Sequence, residues 1–118
     1  MPVRREDKPA FETLDGSEVR ELIQVGDGAR NQSLAEAVVP PGGETTAHRH
    51  RRSEEVYVFT AGAGTMRLGD ESFEVRAGDS VLIAPGTPHK LWNSGAEPLA
   101  LLCCCAPPYT DADTEVLE

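Results

Sequence analysis

The sequence has no long apolar run. None of its apolar segments approaches the roughly 20 residues that a membrane-spanning helix needs, and the basic residues near the start are not followed by the apolar stretch of a secretory signal. These absences predict a cytoplasmic protein that has no membrane partner.

Positive charge is scarce as well. The chain carries 11 Lys and Arg residues against 20 Asp and Glu residues, which gives a formal net charge of −9. A negative field repels phosphate backbones and anionic lipid, and the sequence has no helix-turn-helix pattern that would offset this repulsion. The composition therefore predicts that the protein has no nucleic-acid partner.

Cysteine is limited to three adjacent residues in "PLALLCCCAPP". This run is neither a C-x-x-C pair nor a spaced disulfide framework. In a strand, Cys103 and Cys105 share one face and Cys104 lies on the other. Adjacent cysteines then point to opposite faces, and Cys103 and Cys105 are too far apart for an unstrained disulfide. We interpret the run as small buried thiols, with metal or redox chemistry as the alternative.

Turn residues, in contrast, are frequent. Nine prolines and eleven glycines separate short apolar runs such as "EVYVFTA", "SFEVRAG" and "LALLCCC". Several runs alternate apolar and polar residues, which is typical of strands, and Gly-Asp in "LGDES" predicts a hairpin turn. "SEVRELIQV" has helical spacing but glycines on both sides, and we interpret it as extended. The pattern predicts an all-β sandwich or barrel, as one domain over 1–118 with 1–16 and 107–118 as peripheral arms.

The chain has only three histidines, and two of them stand in "HRHRRSEE". On a strand, His48 and His50 share a face, so both imidazoles can converge on one ion. Glu55 opens the following run, with Glu54 offset to the opposite face. The third histidine, His89, follows the tight turn "APGTP". By themselves these residues fit either a metal site or a pair of surface histidines.

The sequence around these histidines resembles the cupin family. The first cupin motif corresponds to residues 42–62 and the second to residues 78–93, and the matching positions are Gly42, His48, His50, Glu55, Gly62, Gly78, Gly86, His89 and Asn93. The second motif departs once, because Ala84 stands where the family has proline and Pro85 follows it. This resemblance implies a double-stranded β-helix, or jelly-roll barrel, with a metal in its mouth.

The resemblance also implies the ligands and the partners. His48, His50, Glu55 and His89 would hold one divalent transition metal ion, and such a set suits Fe, Mn, Zn, Ni, Co or Cu. The barrels of the family often pair, and Val56 and Val58 alternate with Glu55 and point outward, so we expect a homodimer. The expected partner in the site is a small-molecule substrate.

Three functions remain open at this stage. The first is a dioxygenase, in which substrate and O₂ take open positions on a redox metal, and the second is a metal-dependent isomerase, lyase or decarboxylase of a sugar acid or keto acid. The third is a binding module without turnover. Glu55 and Tyr57 are the candidate catalytic residues. Four basic residues stand beside the ligands: Arg49, Arg51, Arg52 and Lys90. They form either a rim that attracts an anionic substrate or a solvated turn.

Overall fold

Two antiparallel sheets make up most of the chain. The structure, a computed structural model, describes residues 1–118. Its strands, in chain order, are β1 (Phe11–Glu12), β2 (Glu18–Ile23), β3 (Ser33–Val39), β4 (His48–His50), β5 (Glu54–Ala61), β6 (Ala63–Leu68), β7 (Glu71–Arg76), β8 (Ser80–Ile83), β9 (His89–Trp92), β10 (Leu99–Ala106) and β11 (Thr114–Val116). Three short 3₁₀ turns, at Arg5–Asp7, Val25–Asp27 and Asp111–Asp113, complete the regular structure.

The strands divide into a six-stranded sheet, in the order β1-β2-β3-β10-β5-β8, and a five-stranded sheet, in the order β11-β4-β9-β6-β7. Strands that are distant in the sequence become neighbours in this arrangement, as when β10 lies between β3 and β5. The all-β prediction and the jelly-roll prediction are both confirmed. None of the helical segments has the length and apolar character that crossing a bilayer requires.

The core lies between the two sheets because successive side chains of a strand point to opposite faces. In β5, Tyr57 and Phe59 are buried while Val58 is exposed. The ten apolar side chains of the buried cluster come from both sheets: Ala37, Val39, Tyr57, Phe59, Met66, Val75, Ile83, Leu91, Leu99 and Leu101. Alternation in the sequence thus places one set of side chains in the interior between the sheets and the other on the outer faces.

Two turns depend on glycine. Gly69 connects β6 to β7 with a φ of +59°, which agrees with the hairpin predicted from "LGDES". Gly62, the last residue of the first motif, has a φ of +79°, and a Cβ atom there would collide with the carbonyl oxygen of Pro98. Only glycine meets both conditions at this position.

The segments near the ends of the chain also join the sheets. The segment "SEVRELIQV" contains β2, so its extended interpretation is confirmed. The C-terminal residues form β11, which pairs with β4 and places Thr114 opposite His50. This pairing brings the C-terminal residues next to the histidine strand.

Candidate metal centre

Three imidazoles converge in the interior. His48 and His50 lie on β4 with Arg49 between them pointing outward, and His89 begins β9 directly opposite His48. All three rings are buried, and one ring nitrogen from each can be chosen so that the three lie within 4.8 Å of one another. The alternation of β4 and its pairing with β9 create this cluster.

Glu55 reaches the cluster from the opposite sheet. Its Oε1 atom lies 3.1 Å from Nε2 of His50 and 3.4 Å from Nε2 of His89, and the residue is only 5% exposed. Glu54 is exposed on the other face of β5. The structure therefore brings Glu55, and not Glu54, to the three histidines.

The Nδ1 contacts determine which nitrogen of each neutral ring is free. Nδ1 of His48 and Nδ1 of His89 each lie 2.9 Å from a backbone carbonyl oxygen, of Thr46 and Thr87 respectively. A carbonyl oxygen only accepts, so these Nδ1 atoms carry the proton and both Nε2 atoms present lone pairs.

His50 reaches the same state through a hydroxyl group. Its Nδ1 lies 3.0 Å from Oγ1 of Thr114, and that hydroxyl donates its own hydrogen to the carbonyl oxygen of Thr110 at 2.9 Å. The hydroxyl therefore accepts from Nδ1 of His50, which leaves Nε2 as a lone pair. Such contacts fix the orientation and tautomer of histidines that bind metals.

Four acceptor atoms thus face one another without a donor. Oε1 of Glu55 and Nε2 of His89 are buried and have no hydrogen-bond partner, although Glu55 approaches two histidines. Buried polar atoms are rarely left unpaired. A cation at the centre would satisfy all four, and three imidazoles with one carboxylate are a donor set that divalent transition metals accept. The residues present fit a metal ion.

The ionisation of the site is consistent with this fit. Burial raises the pKa of the Glu55 carboxyl, but hydrogen bonds and charge interactions with His50 and His89, which act when these rings are protonated, outweigh burial and lower the pKa to about 2. Burial and the neighbouring His89 lower the pKa of His48. An ionised carboxylate and a neutral imidazole are the forms that bind metals.

The thiol of Cys105 holds the second oxygen of Glu55. Its Sγ atom donates to Oε2 at 3.2 Å, and burial raises the pKa of Cys105, which keeps the thiol protonated as a donor. Cys103 lines the same cavity while Cys104 lies on the outer face, near Gln32. All three thiols are free. This arrangement agrees with the predicted alternation of the cysteine run.

The histidine cluster lies beside a cavity between the sheets, whose enclosed volume is about 60 Å³. Its walls include Val19, Leu91 and Leu101, and hydroxyl and carboxyl side chains also line it. Tyr57 lines the cavity too, with its ring centre 5.8 Å from that of His89. Burial raises the pKa of Tyr57 well above its usual range, so its phenol stays protonated.

Asp15 is a cavity residue that sequence reasoning missed. Its Oδ1 atom accepts from the Thr13 hydroxyl at 2.6 Å and from the Ser17 amide and hydroxyl at 2.9 and 2.6 Å. Its Oδ2 atom lies 3.7 Å from Nε2 of His48. The segment "TLDGS" predicts only a turn, and it meets the histidines because β2 packs into the six-stranded sheet. No local signal identifies Asp15.

The basic residues beside the ligands do not form a rim around the cavity. Arg49 and Arg51 pair with Glu115, and Lys90 pairs with Glu118 at 2.7 Å. None of these cations, nor Arg52, lines the cavity. Strand alternation directs Arg49 and Lys90 to the outer face, where carboxylates near the C-terminus pair with them and with Arg51. The interpretation of these residues as a rim for an anionic substrate is therefore wrong.

Comparison with known proteins supports the fold. The chain is 51% identical over 108 residues to the uncharacterized protein MJ1618 of Methanocaldococcus jannaschii, covering 90% of this chain and 86% of that protein. It resembles the structure of the polyketide cyclase RemF from Streptomyces resistomycificus at 27% identity and a TM-score of 0.79, covering 96% of this chain and 88% of that chain.

A further similarity covers only part of a longer protein. The Lactobacillus farciminis oxalate decarboxylase superimposes at 26% identity with a TM-score of 0.82, over 95% of this chain but 34% of that chain. The sequence profile described as the cupin domain matches residues 35–105, which contain all four converging side chains. The chain belongs to the cupin family.

Proposed function

We propose that the protein is a metal-dependent enzyme acting on a small organic molecule, with His48, His50, Glu55 and His89 as the metal ligands. One observation carries this proposal: three buried imidazoles and the Glu55 carboxylate converge with no donor among their facing atoms, and Oε1 of Glu55 and Nε2 of His89 are buried without a hydrogen-bond partner. The polyketide cyclase and the oxalate decarboxylase named above are enzymes on the same fold.

A divalent transition metal held there would polarise a substrate oxygen and, if it is redox-active, would also activate O₂. The protein residues have other tasks. Val19, Leu91 and Leu101 would cover an apolar part of the substrate and exclude water from the reacting atoms. Tyr57, as a protonated phenol beside His89, is placed to donate a hydrogen bond to substrate, and Glu55 is the candidate proton acceptor.

Among reaction types, we propose a dioxygenase first. Four ligands leave two positions open on an octahedral ion, enough for a chelating substrate and O₂. The apolar walls and the deep burial of the ligands suit a reaction in which intermediates must be kept from water.

Reaction without a redox change is the second candidate. The likeness to the polyketide cyclase, over 96% of this chain, favours it, since a cyclisation needs a polarised carbonyl and a base and consumes no oxygen. Glu55 or the side chain of Asp15 would then take the proton from carbon. A binding module without turnover is the outcome if neither chemistry is found.

The deciding experiment uses protein purified without chelator and without added metal. Elemental analysis gives the metal content, which we expect to be about one ion per chain, the number that a single mononuclear site holds. Oxygen uptake is then followed with the Fe(II)-loaded protein and enolic, phenolic or diketone compounds. Substrate-dependent uptake supports the dioxygenase; product formation without uptake in the Zn or Mn form supports the second candidate. Absence of metal would refute the proposal.

A further inference from the structure

The charge of the cavity points to its substrate class. We infer that the site selects uncharged molecules that donate a hydroxyl hydrogen bond to Asp15, and that it rejects carboxylates; this inference rests on the proposed function. The ionisable acids that line the cavity are Asp15, Glu21 and Glu55, and neither lysine nor arginine lines it. An anionic substrate would therefore find no side-chain cation to pair with.

The metal does not reverse this balance. A divalent ion contributes two positive charges against three carboxylates, and the three imidazoles are neutral in the metal-binding form, so one negative charge remains. The cavity lies between two sheets, where charges interact more strongly than in bulk water. Arg49 and Lys90, which stand next to the histidine ligands in the sequence, are already paired with Glu115 and Glu118 on the outer surface. A carboxylate would thus enter a negative site.

Asp15 supplies the specific contact. The three donors from Thr13 and Ser17 hold its Oδ1 atom, so the orientation of the carboxylate is fixed before any substrate binds. Oδ2 faces Nε2 of His48 at 3.7 Å, and that nitrogen presents a lone pair. Oδ2 therefore has an unused acceptor capacity beside the metal centre. A substrate hydroxyl that lies there satisfies it, whereas a second carboxylate is repelled.

The rest of the cavity agrees with an uncharged molecule. Val19 and Glu21 lie on the same face of β2, so one strand contributes an apolar surface next to the acid. Leu91 and Leu101 continue the apolar surface from the other strands. A hydroxylated ring or chain with an oxygen for the metal fits these walls. This charge pattern disfavours the sugar acids and keto acids considered from the sequence.

The test compares three probes on the zinc-loaded protein, which performs no redox chemistry. 2-Hydroxyacetophenone and salicylate share one skeleton, with a carbonyl-type oxygen for the metal and a neighbouring hydroxyl for Asp15, but only salicylate is anionic; 2-methoxyacetophenone lacks the hydroxyl donor. Titration calorimetry should show the hydroxy ketone binding at least about tenfold more tightly than either of the other probes. Equal or tighter binding of salicylate would overturn the inference.

Variants identify the residues responsible. Asp15→Asn and Glu21→Gln should each strengthen salicylate binding by about threefold to tenfold, and Asp15→Asn should also weaken the hydroxy ketone. Glu18→Gln is the matched control, because it removes the same charge from the outer face of β2. If Glu18→Gln has as large an effect as the cavity variants, the assignment to Asp15 and Glu21 is wrong.

Zinc affinity, measured separately by chelator competition, distinguishes this inference from the proposed function. Tight zinc binding with the wrong probe order refutes the inference alone. If zinc does not bind, the metal proposal fails, and the same probes are titrated on the metal-free protein. Without the metal, no positive charge offsets the carboxylates of Asp15, Glu21 and Glu55, so salicylate should bind even more weakly than to the zinc-loaded protein. Binding of salicylate to the metal-free protein would overturn the inference.

Discussion

Each of the three histidine rings is oriented by a single hydrogen bond at Nδ1, the nitrogen that faces away from the centre of the site. Thr46 and Thr87 accept from His48 and His89 through backbone carbonyls, which no substitution at these positions removes. His50 depends instead on a side chain, the hydroxyl of Thr114. The three rings therefore differ in how they can be perturbed, although all present Nε2 to the same point.

Removing a ligand should remove the metal. We expect His48→Ala and His89→Ala to lose metal occupancy, because three remaining donors bind a divalent ion far more weakly than four. Glu55→Gln should also lose affinity, while Glu54→Gln, on the exposed face of the same strand, should retain it. Elemental analysis after gel filtration measures occupancy. Full occupancy in both histidine variants would contradict the ligand assignment.

Thr114 tests the orientation of His50. Thr114→Val keeps the shape but leaves Nδ1 of His50 without an acceptor, so metal affinity should fall by about 10- to 100-fold. Thr114→Ser keeps the hydroxyl and should restore most of the affinity. Chelator competition gives the affinity, and the unfolding midpoint of the metal-free protein serves as the control for folding. Equal affinities for the valine and serine variants would show that the hydroxyl has no such role.

At the scale of elements, β10 and β11 connect the site to the rest of the fold. β10 lies between β3 and β5 and carries two thiols on the cavity face, one of which holds Glu55. β11 lies beside β4 and carries Thr114 on the face of the histidines. Each strand therefore has both a structural pairing and a contact with a proposed ligand.

The thiols of β10 should react slowly in the native protein. Burial raises the pKa of Cys103 well above its usual range and also raises that of Cys105, so neither forms the thiolate that attacks a disulfide reagent. We expect titration with a disulfide reagent to modify these two thiols only after denaturant is added. Cys104→Ser isolates them from the thiol on the outer face. Rapid modification of both in the native Cys104→Ser variant would contradict the strand assignment.

The C-terminal strand should separate from β4 in acid. Hydrogen bonding with Arg49 lowers the pKa of Glu115, and hydrogen bonding with the Ala47 amide and Lys90 lowers that of Glu118, both from a usual value of 4.5. Because docking lowers the pKa values of both carboxyls, their ion pairs stabilise the docked strand fully above pH 4.5. This stabilisation is lost as the pH falls through the lowered pKa values.

Amide shifts of the metal-free protein measure this separation. Signals of β11 should move as the pH falls below 4.5, whereas those of β10 should remain unchanged over the same range. Double substitution Glu115→Gln and Glu118→Gln should remove the dependence. If β11 keeps its native shifts after both carboxyls have titrated, the ion pairs do not hold the strand.

Sequence alone could predict the part of the site that is local. Alternation places His48, His50 and Glu55 on inward faces, and the cupin resemblance adds His89 from a second motif. Asp15 and Thr114 could not be found in this way, because each reaches the centre by pairing between strands far apart in the chain, 64 residues in the case of Thr114 and His50. Similarly, no local pattern shows that Glu115 and Glu118 neutralise the basic residues.

At the scale of the whole molecule, the outer face of the six-stranded sheet carries an apolar patch over β5, β8 and β10. In β5, Val56 lies between Leu82 of β8 and Cys104 of β10, and Val58 lies beside Leu102 of β10. Val58 is 36% exposed and Leu82 is 61% exposed. Contiguous exposed apolar area of this kind marks an interface. We propose that a second copy of the chain covers it.

Light scattering should then report roughly twice the chain mass of 12.7 kDa, as a closed twofold dimer requires. Leu82→Lys introduces a charge at the most exposed apolar residue of the patch and should give monomers, while Thr65→Lys, on the outer face of the five-stranded sheet, should leave the dimer intact. Cys104 adds an independent signal, because a partner that covers the patch would also cover this thiol. Its modification rate should therefore rise on dilution and in the Leu82→Lys variant. A wild-type protein that scatters as a monomer, with Cys104 equally reactive in both proteins, would show that this face is free.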